Sequence, residues 1–279
     1  MTFNIYELVT SRIIEQLEQN IIPWRKCWRG SEPINYITRK PYRGINLLLL
    51  PFGGEWMTFK QVKDSGGSVR KGEKSSLIVF YKTGEKVNDE TGETETYPIL
   101  QYSNVFHLSQ TESIKSKLEP VNIDAEIEPI QAAQNIIDDY ITRSDVKFHH
   151  VEGSNQAYYK ATTDTITMPV IGQFESAEEY YSTAFHEAAH STVHRSRLDR
   201  ISGAAAFGSG EYSREELTAE ISASMLMNIA GIEQPQTFEN SVAYIKSWIG
   251  KLKQDNKAIV TASGKAQRAT DLIMGTQGS

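Results

Sequence analysis

The pentapeptide His186-Glu187-Ala188-Ala189-His190 constrains this chain more than any other stretch. Residues four apart on an α-helix lie roughly 40° apart around the axis and one turn along it. Two imidazoles so placed reach one tetrahedral cation. Glu187, one step round, can take a proton from water that the cation acidifies. The pattern demands a helix, and its surroundings supply one. Ser176 with Glu179 three residues later is a capping-box start. Tyr181, Ala184, Phe185, Ala188 and Ala189 form a wide apolar face, which Thr192 and Val193 continue. The spacing predicts a helix over 177–194 that is buried or half-buried. The bland alternative is two surface histidines on an ordinary helix.

Such a site needs a third ligand from further along. The helix predicted over 214–230 carries Glu215, Glu216 and Glu220. Glu216 and Glu220 share a face. One reading makes Glu216 the ligand and Glu220 a neighbouring acceptor that holds a histidine. The other starts from Ser213 and Glu216, which also form a capping box; that use of Glu216 leaves Glu220 for the metal. His194, one turn beyond His190, is either a further supporting group or a solvated histidine at the helix end. Zn²⁺ is the expected ion, with Mn²⁺ as another divalent choice.

Charge divides the chain. Residues 1–88 hold 14 Lys and Arg against 8 Asp and Glu, whereas residues 89–279 are acidic enough to bring the net charge to −6. A basic front and an acidic rear point to two regions with different partners. The single cysteine, Cys27, allows no internal disulfide and fits a reducing cytoplasm. No apolar run is long enough to span a bilayer. The first residues show no basic region followed by an apolar run, so no secretory signal is visible.

An amphipathic helix is predicted over 4–22, ended by Pro23. A short helix over 58–64 ends at Gly66-Gly67. Strands are expected at 76–81 and 100–108, joined by a polar tip. Residues 111–129, polar and acidic, read as a linker. Beyond it come a helix over 130–140, strands at 146–151, 158–159 and 165–168, and the two metal-site helices. Further helices are predicted over 242–255 and 263–274. The expected architecture is α+β in two domains, 1–110 and 130–279. The second is expected to pack an antiparallel sheet on the histidine helix.

The front half has the parts of a sequence-tolerant single-strand binder. Aromatic rings stack bases and cations follow phosphates. Trp24, Trp28, Tyr36, Tyr42 and Trp56 lie among Arg25, Lys26, Arg29, Arg39, Lys40 and Arg43, with Lys71 and Lys74 in a later turn. Tryptophans in a small domain are usually core residues, so at least two of these are expected inside. Lys71 and Lys74 are equally compatible with a plain solvated turn.

Several motifs together resemble the ArdC-type plasmid antirestriction proteins. In the rear half they are Ala157-Tyr158-Tyr159, Asp164-x-Ile166-x-Met168-Pro169, Phe174, the segment 178–190, Arg197-Leu198-x-Arg200, and Glu215-Glu216-Leu217-x-Ala219-Glu220. This half is also similar to the domain that cleaves phage and transposon repressors. In that wider group the ligand is a glutamate three residues before an alanine, which Glu216 and Ala219 match. In the front half the motifs are Pro23-Trp24 with Trp28, Asn35, Tyr42-Arg43-Gly44-x-Asn46, Trp56-x-Thr58-Phe59-x-Gln61 and Arg70-Lys71-Gly72-Glu73-Lys74. The resemblance implies a single-stranded-DNA-binding domain joined to a zincin-like metallopeptidase domain, protecting incoming plasmid or phage DNA from host restriction. Its peptidase would act on a restriction enzyme or another protein substrate. The alternatives are a DNA-coating or nuclease-blocking protein whose metal is structural, and a protease acting on DNA-bound proteins or on a repressor.

Overall fold

The computed structural model describes residues 4–19, 23, 32–51, 53–87, 94–118, 129–152, 154, 156–200, 210–232 and 242–276. The front half centres on a four-stranded sheet in the order β1-β2-β5-β4. These strands are β1 (Pro33–Asn35), β2 (Gly54–Thr58), β4 (Ser76–Val87) and β5 (Thr94–His107). β4 and β5 form one long antiparallel hairpin, with Ser76 opposite Val105 and Val87 opposite Thr94. Around the sheet lie α1 (Ile5–Glu18), α2 (Ile45–Leu49) and α3 (Phe59–Asp64). α3 begins as a full capping box, Thr58 with Gln61. The apolar run that follows Gly44 forms the short helix α2. Gly44, at φ +57, starts it in a backbone region that glycine enters freely.

A small ribbon pairs β3 (Ser68–Val69) with β6 (Thr111–Glu112). This corrects the front edge of the expected linker, because residues 111–118 dock on the front half. The Tyr36 hydroxyl donates to the Lys115 carbonyl at 3.1 Å, and Ser116 donates to the buried Glu55 carboxylate at 2.7 Å. Residues 119–128 lie outside the described residues.

The rear half contains α4 (Pro129–Ser144), β7 (Lys147–His150), β8 (Tyr158–Lys160), β9 (Thr165–Met168), α5 (Ala177–Ser191), α6 (Gly210–Ile229), α7 (Val242–Gln254) and α8 (Ala258–Met274). Its sheet has the order β7-β9-β8 and is mixed. β8 pairs with β9 antiparallel, but β7 runs parallel to β9. The expectation of an antiparallel sheet holds for the β8–β9 hairpin and fails for β7, which pairs with the other edge of β9 and runs parallel to it. The sheet, α4, α5, α6 and α8 enclose one core built on Tyr140, Ile166, Met168, Phe185 and Leu226.

A second core crosses between the halves. Val9, Ile13 and Leu17 of α1 and Leu48 of α2 pack with Leu217 and Ile221 of α6, Trp248 and Leu252 of α7 and Ile259 of α8. Thus α6 is apolar on two sides, one for each core, and leaves only a narrow strip for polar groups. Among the described residues no helix is long and apolar enough to cross a membrane.

Candidate metal centre

The histidine helix α5 begins where the capping signal places it: the Ser176 side chain accepts from the Glu179 amide at 3.2 Å. It ends three residues earlier than expected, at Ser191. Two arginines just beyond it add donors to carbonyls of the last turn, which also accept from Thr192 and His194. Arg200 donates to the Ala189 carbonyl at 2.9 Å, and Arg197 to the Ser191 carbonyl at 2.8 Å. Their positive charges also suit the negative end of the helix dipole. Arg197 additionally reaches the Ser144 carbonyl at the end of α4 and ion-pairs with Asp164, a residue at φ +49 in the β8–β9 turn. One guanidinium thereby ties the end of α5 to the sheet and to α4.

Within this frame His186, His190 and Glu216 converge, with one donor atom from each falling within 4.8 Å of the others. The two Nε2 atoms are 3.0 Å apart. Glu216 places one carboxylate oxygen 3.7 Å from His186 Nε2 and the other 3.5 Å from His190 Nε2. Two donors on a tetrahedral ion with bonds of about 2.1 Å lie about 3.4 Å apart. The observed separations bracket that value, and two imidazoles with one carboxylate are a known donor set for such an ion. The three residues therefore fit a divalent cation. Helix α6 starts at Gly210, a turn before Ser213, so Ser213 is not the cap. Glu216 is thus interior to the helix and its side chain is directed to the histidines.

Glu187 is only 7% exposed and lies close enough for its charge to act on His186. Burial alone pushes the His186 imidazole down. The adjacent Glu216 carboxylate and the charges of Glu187 and Glu220 outweigh it and hold His186 above the ordinary histidine value. Three carboxylates, Glu187, Glu216 and Glu220, thus act on His186, a charge balance that favours binding a cation.

A further acidic residue of α6, Glu215, lies 3.4 Å from His190 Nδ1. Glu215 is itself buried and gripped by Arg200, which donates Nε–H at 3.1 Å and Nη2–H at 2.6 Å. Burial pushes the Glu215 carboxyl up, but His190 and the Arg200 guanidinium hold it below the usual carboxylate range. Helical phase separates the two glutamates. Residue 215 is five before 220, and only the earlier residue reaches the side of α5 where Arg200 returns. Glu220 contributes charge near His186 instead. His194 is also not beside the cluster. The chain leaves the helix at Ser191, and His194 turns its Nδ1 to the Ser196 hydroxyl at 2.8 Å and towards Asp164 at 3.9 Å. The roles of Arg197, Arg200 and Glu215 were not assigned from sequence. A pair of arginines just after a helix end is the signal that marks two of them.

The residues named for DNA scatter. Trp56 is 1% exposed and packs with Leu50, Ile78 and Val105, so it offers no face to a base. Its strand position points it into the core, as was expected of some tryptophans here. Asn46 uses its side chain on the Val79 backbone, donating to the carbonyl and accepting from the amide at 2.8 Å each, which pins α2 to β4. Arg43 ion-pairs with Asp271 of α8. Tyr42 is half-buried beside Asn35. Both line a cavity of about 350 Å³ where the halves meet. Lys71 and Lys74 are exposed. Trp24, Arg25, Lys26 and Trp28 lie outside the described residues.

Comparison with known proteins covers the same two halves. Residues 3–106 match the N-terminal domain of anti-restriction factor ArdC, and residues 135–265 match the MPTase-PolyVal family of zincin-like metallopeptidases. The crystal structure of the antirestriction ArdC protein from the R388 plasmid in its metal-free form is 35% identical. It superposes with a TM-score of 0.76, covering 99% of this chain and 100% of that one. The Mn(II)-bound structure of that protein gives 34% identity and the same TM-score, over 98% of each chain. Among curated proteins, a DNA primase TraC of Escherichia coli is 34% identical over 96% of this chain. The chain spans only 27% of that primase, and 20% of a second TraC at 33% identity. An uncharacterized protein of Sinorhizobium fredii, y4eC, is 32% identical over 98% of this chain and 92% of its own length.

Proposed function

As this chain belongs to the ArdC family of antirestriction proteins, we propose that it protects incoming plasmid or phage DNA from host restriction in the cytoplasm. In this reading the front half holds single-stranded DNA and the rear half is a metal-dependent peptidase. The observation that carries it is the convergence of His186, His190 and Glu216 within 4.8 Å beside the buried Glu187. These three are the proposed ligands. Their donor set suits zinc and also admits manganese; the R388 relative has been crystallised with Mn(II). When bound, the ion supplies Lewis acidity, polarising a peptide carbonyl and acidifying water. Glu187 then takes a proton from water on its carboxylate and returns it to the leaving amide nitrogen. Its burial strengthens that exchange, because bulk water screens it little. Glu215, fixed by Arg200, holds the His190 ring with Nε2 towards His186 and Glu216.

The two TraC relatives carry this region within much longer primases, which supports a setting beside DNA in transit. Two measurements test the reading. The purified protein is expected to carry a divalent ion by elemental analysis, and its absence overturns the site. Glu187→Gln is expected to keep the ion, lose peptide hydrolysis by roughly 10²- to 10⁴-fold, and lose protection of transferred plasmid. If protection survives that change but vanishes in Trp24→Ala, the protein works by covering DNA and its metal is structural.

A further inference from the structure

The residues that a sequence reading assigns to DNA are partly occupied elsewhere, which leaves open where a strand would lie. The β4–β5 register answers this. Tyr102 and Asn104, paired with β4, and Phe106, paired with β2, are alternate residues of the one strand β5, so all three project from one face of the sheet. That face lines an open groove of roughly 890 Å³ whose opposite wall is α1. Arg12 and Gln16 stand on the α1 wall, and Lys74 on the turn before β4. Every residue lining the groove falls between Leu8 and Phe106, inside the stretch that matches the ArdC N-terminal domain.

We propose that this groove is the binding track for single-stranded DNA, with Tyr102 and Phe106 as its base-stacking surfaces and Arg12 and Lys74 on the phosphates. The proposal rests on the single-strand reading above and gives it a location. Tyr102 is 44% exposed, whereas aromatic rings that serve the core here, such as Trp56, are closed off. Phe106 passes the surface on to Phe59, 6.3 Å away between ring centres, 49% exposed and with the Lys63 ammonium 5.0 Å over its ring. Tyr102 and Phe106 are about 13 Å apart along the strand, the length of up to about four stacked nucleotides at 3.4 Å each. Between them Asn104 is exposed and presents both a donor and an acceptor.

The charges suit a polyanion. Arg12 pairs with Glu15 at 2.9 Å with both side chains more than half exposed, a pairing that is cheap to exchange. The one carboxylate lining the groove, Glu73, is held by Arg70 and by the Gln110 amide, and these hold its carboxyl below the ordinary value. Arg70 thus masks it. The aromatic rings with cations on both sides favour an unpaired strand, since base faces are covered in a duplex.

The test uses the full chain and a fluorescent oligothymidine of roughly 16 nucleotides. Tyr102→Ala is expected to weaken binding roughly 5- to 150-fold, and Tyr102→Trp to restore it. Lys74→Ala is expected to reduce the log–log salt slope by about 0.7. As a check independent of folding, an oligonucleotide carrying 5-iodouracil is expected to crosslink to the peptide containing Tyr102 and Phe106. If the wild type binds but Tyr102→Ala binds equally well and the crosslink maps elsewhere, the groove is the wrong place and the single-strand reading stands. If the wild type does not bind the strand at all, that reading and the groove fall together.

Discussion

The histidine helix and the aromatic front half carry equally conspicuous residues, yet they translate into structure very differently. On α5 the two histidines and Glu187 belong to one helical segment. Its 3.6-residue repeat converts spacing into geometry before any other part of the chain is placed. In the front half each aromatic residue sits on a strand or a loop. Whether it faces a core or a groove depends on what covers that side of the sheet. Trp56 and Tyr102 show the contrast: they lie on strands of the same sheet, but one is enclosed by Leu50, Ile78 and Val105 and the other lines a groove. A motif within one helix is local information, whereas exposure of an aromatic is tertiary information.

The largest effect that would sharpen this contrast is at Trp56. Trp56→Ala is expected to cost about 3–5 kcal/mol of stability, read as a lower urea midpoint for the full chain. A loss of DNA affinity without that destabilisation would break the comparison. Next, Glu216→Ala is expected to weaken metal binding by more than roughly 100-fold, measured by competition with a chromophoric chelator, because a ligand is removed outright. Glu215→Gln is expected to weaken it by about 10- to 100-fold, as loss of a supporting partner does. An equal or larger effect from Glu220→Gln would reverse the assignment of the two glutamates.

The smallest effect concerns acid stability. Burial pushes the Asp164 carboxyl up, but Arg197 and Tyr159 outweigh it and hold it below its ordinary value of 3.8. A depressed carboxyl contributes stability that is present above 3.8 and is lost as pH falls through its folded value. Asp164→Asn is therefore expected to flatten the acid limb of a stability–pH curve by up to about one proton's worth of slope. Unchanged slope would mean that the Arg197 pair does not hold the end of α5.

What was legible follows the same division. The bounds of α3, α4, α5 and α7 could be read to within a few residues, because caps, proline stops and apolar periodicity all act within a turn or two. The convergence of His186, His190 and Glu216 was legible as one of two readings, the other placing Glu220 in the set, because two glutamates a turn apart on α6 share a face. The parallel pairing of β7 with β9 was not, since strand partners are chosen across distance. Nor was the supporting role of Glu215, which depends on Arg200 folding back onto Ala189 and Thr192 from beyond the helix. The fate of Asn46 was hidden for a like reason: its side chain mimics a strand neighbour for Val79, a residue 33 positions away.

The core that joins α1 and α2 to α6, α7 and α8 bears on how such a protein is inherited. A recombination point placed between the halves would part Leu17 from Leu252 and Leu48 from its helical neighbours, leaving each product with an apolar flank open to water. Genetic exchange would then favour moving both halves as one cassette. A rear half found without its companion would have to bring another cover for α6 and α8.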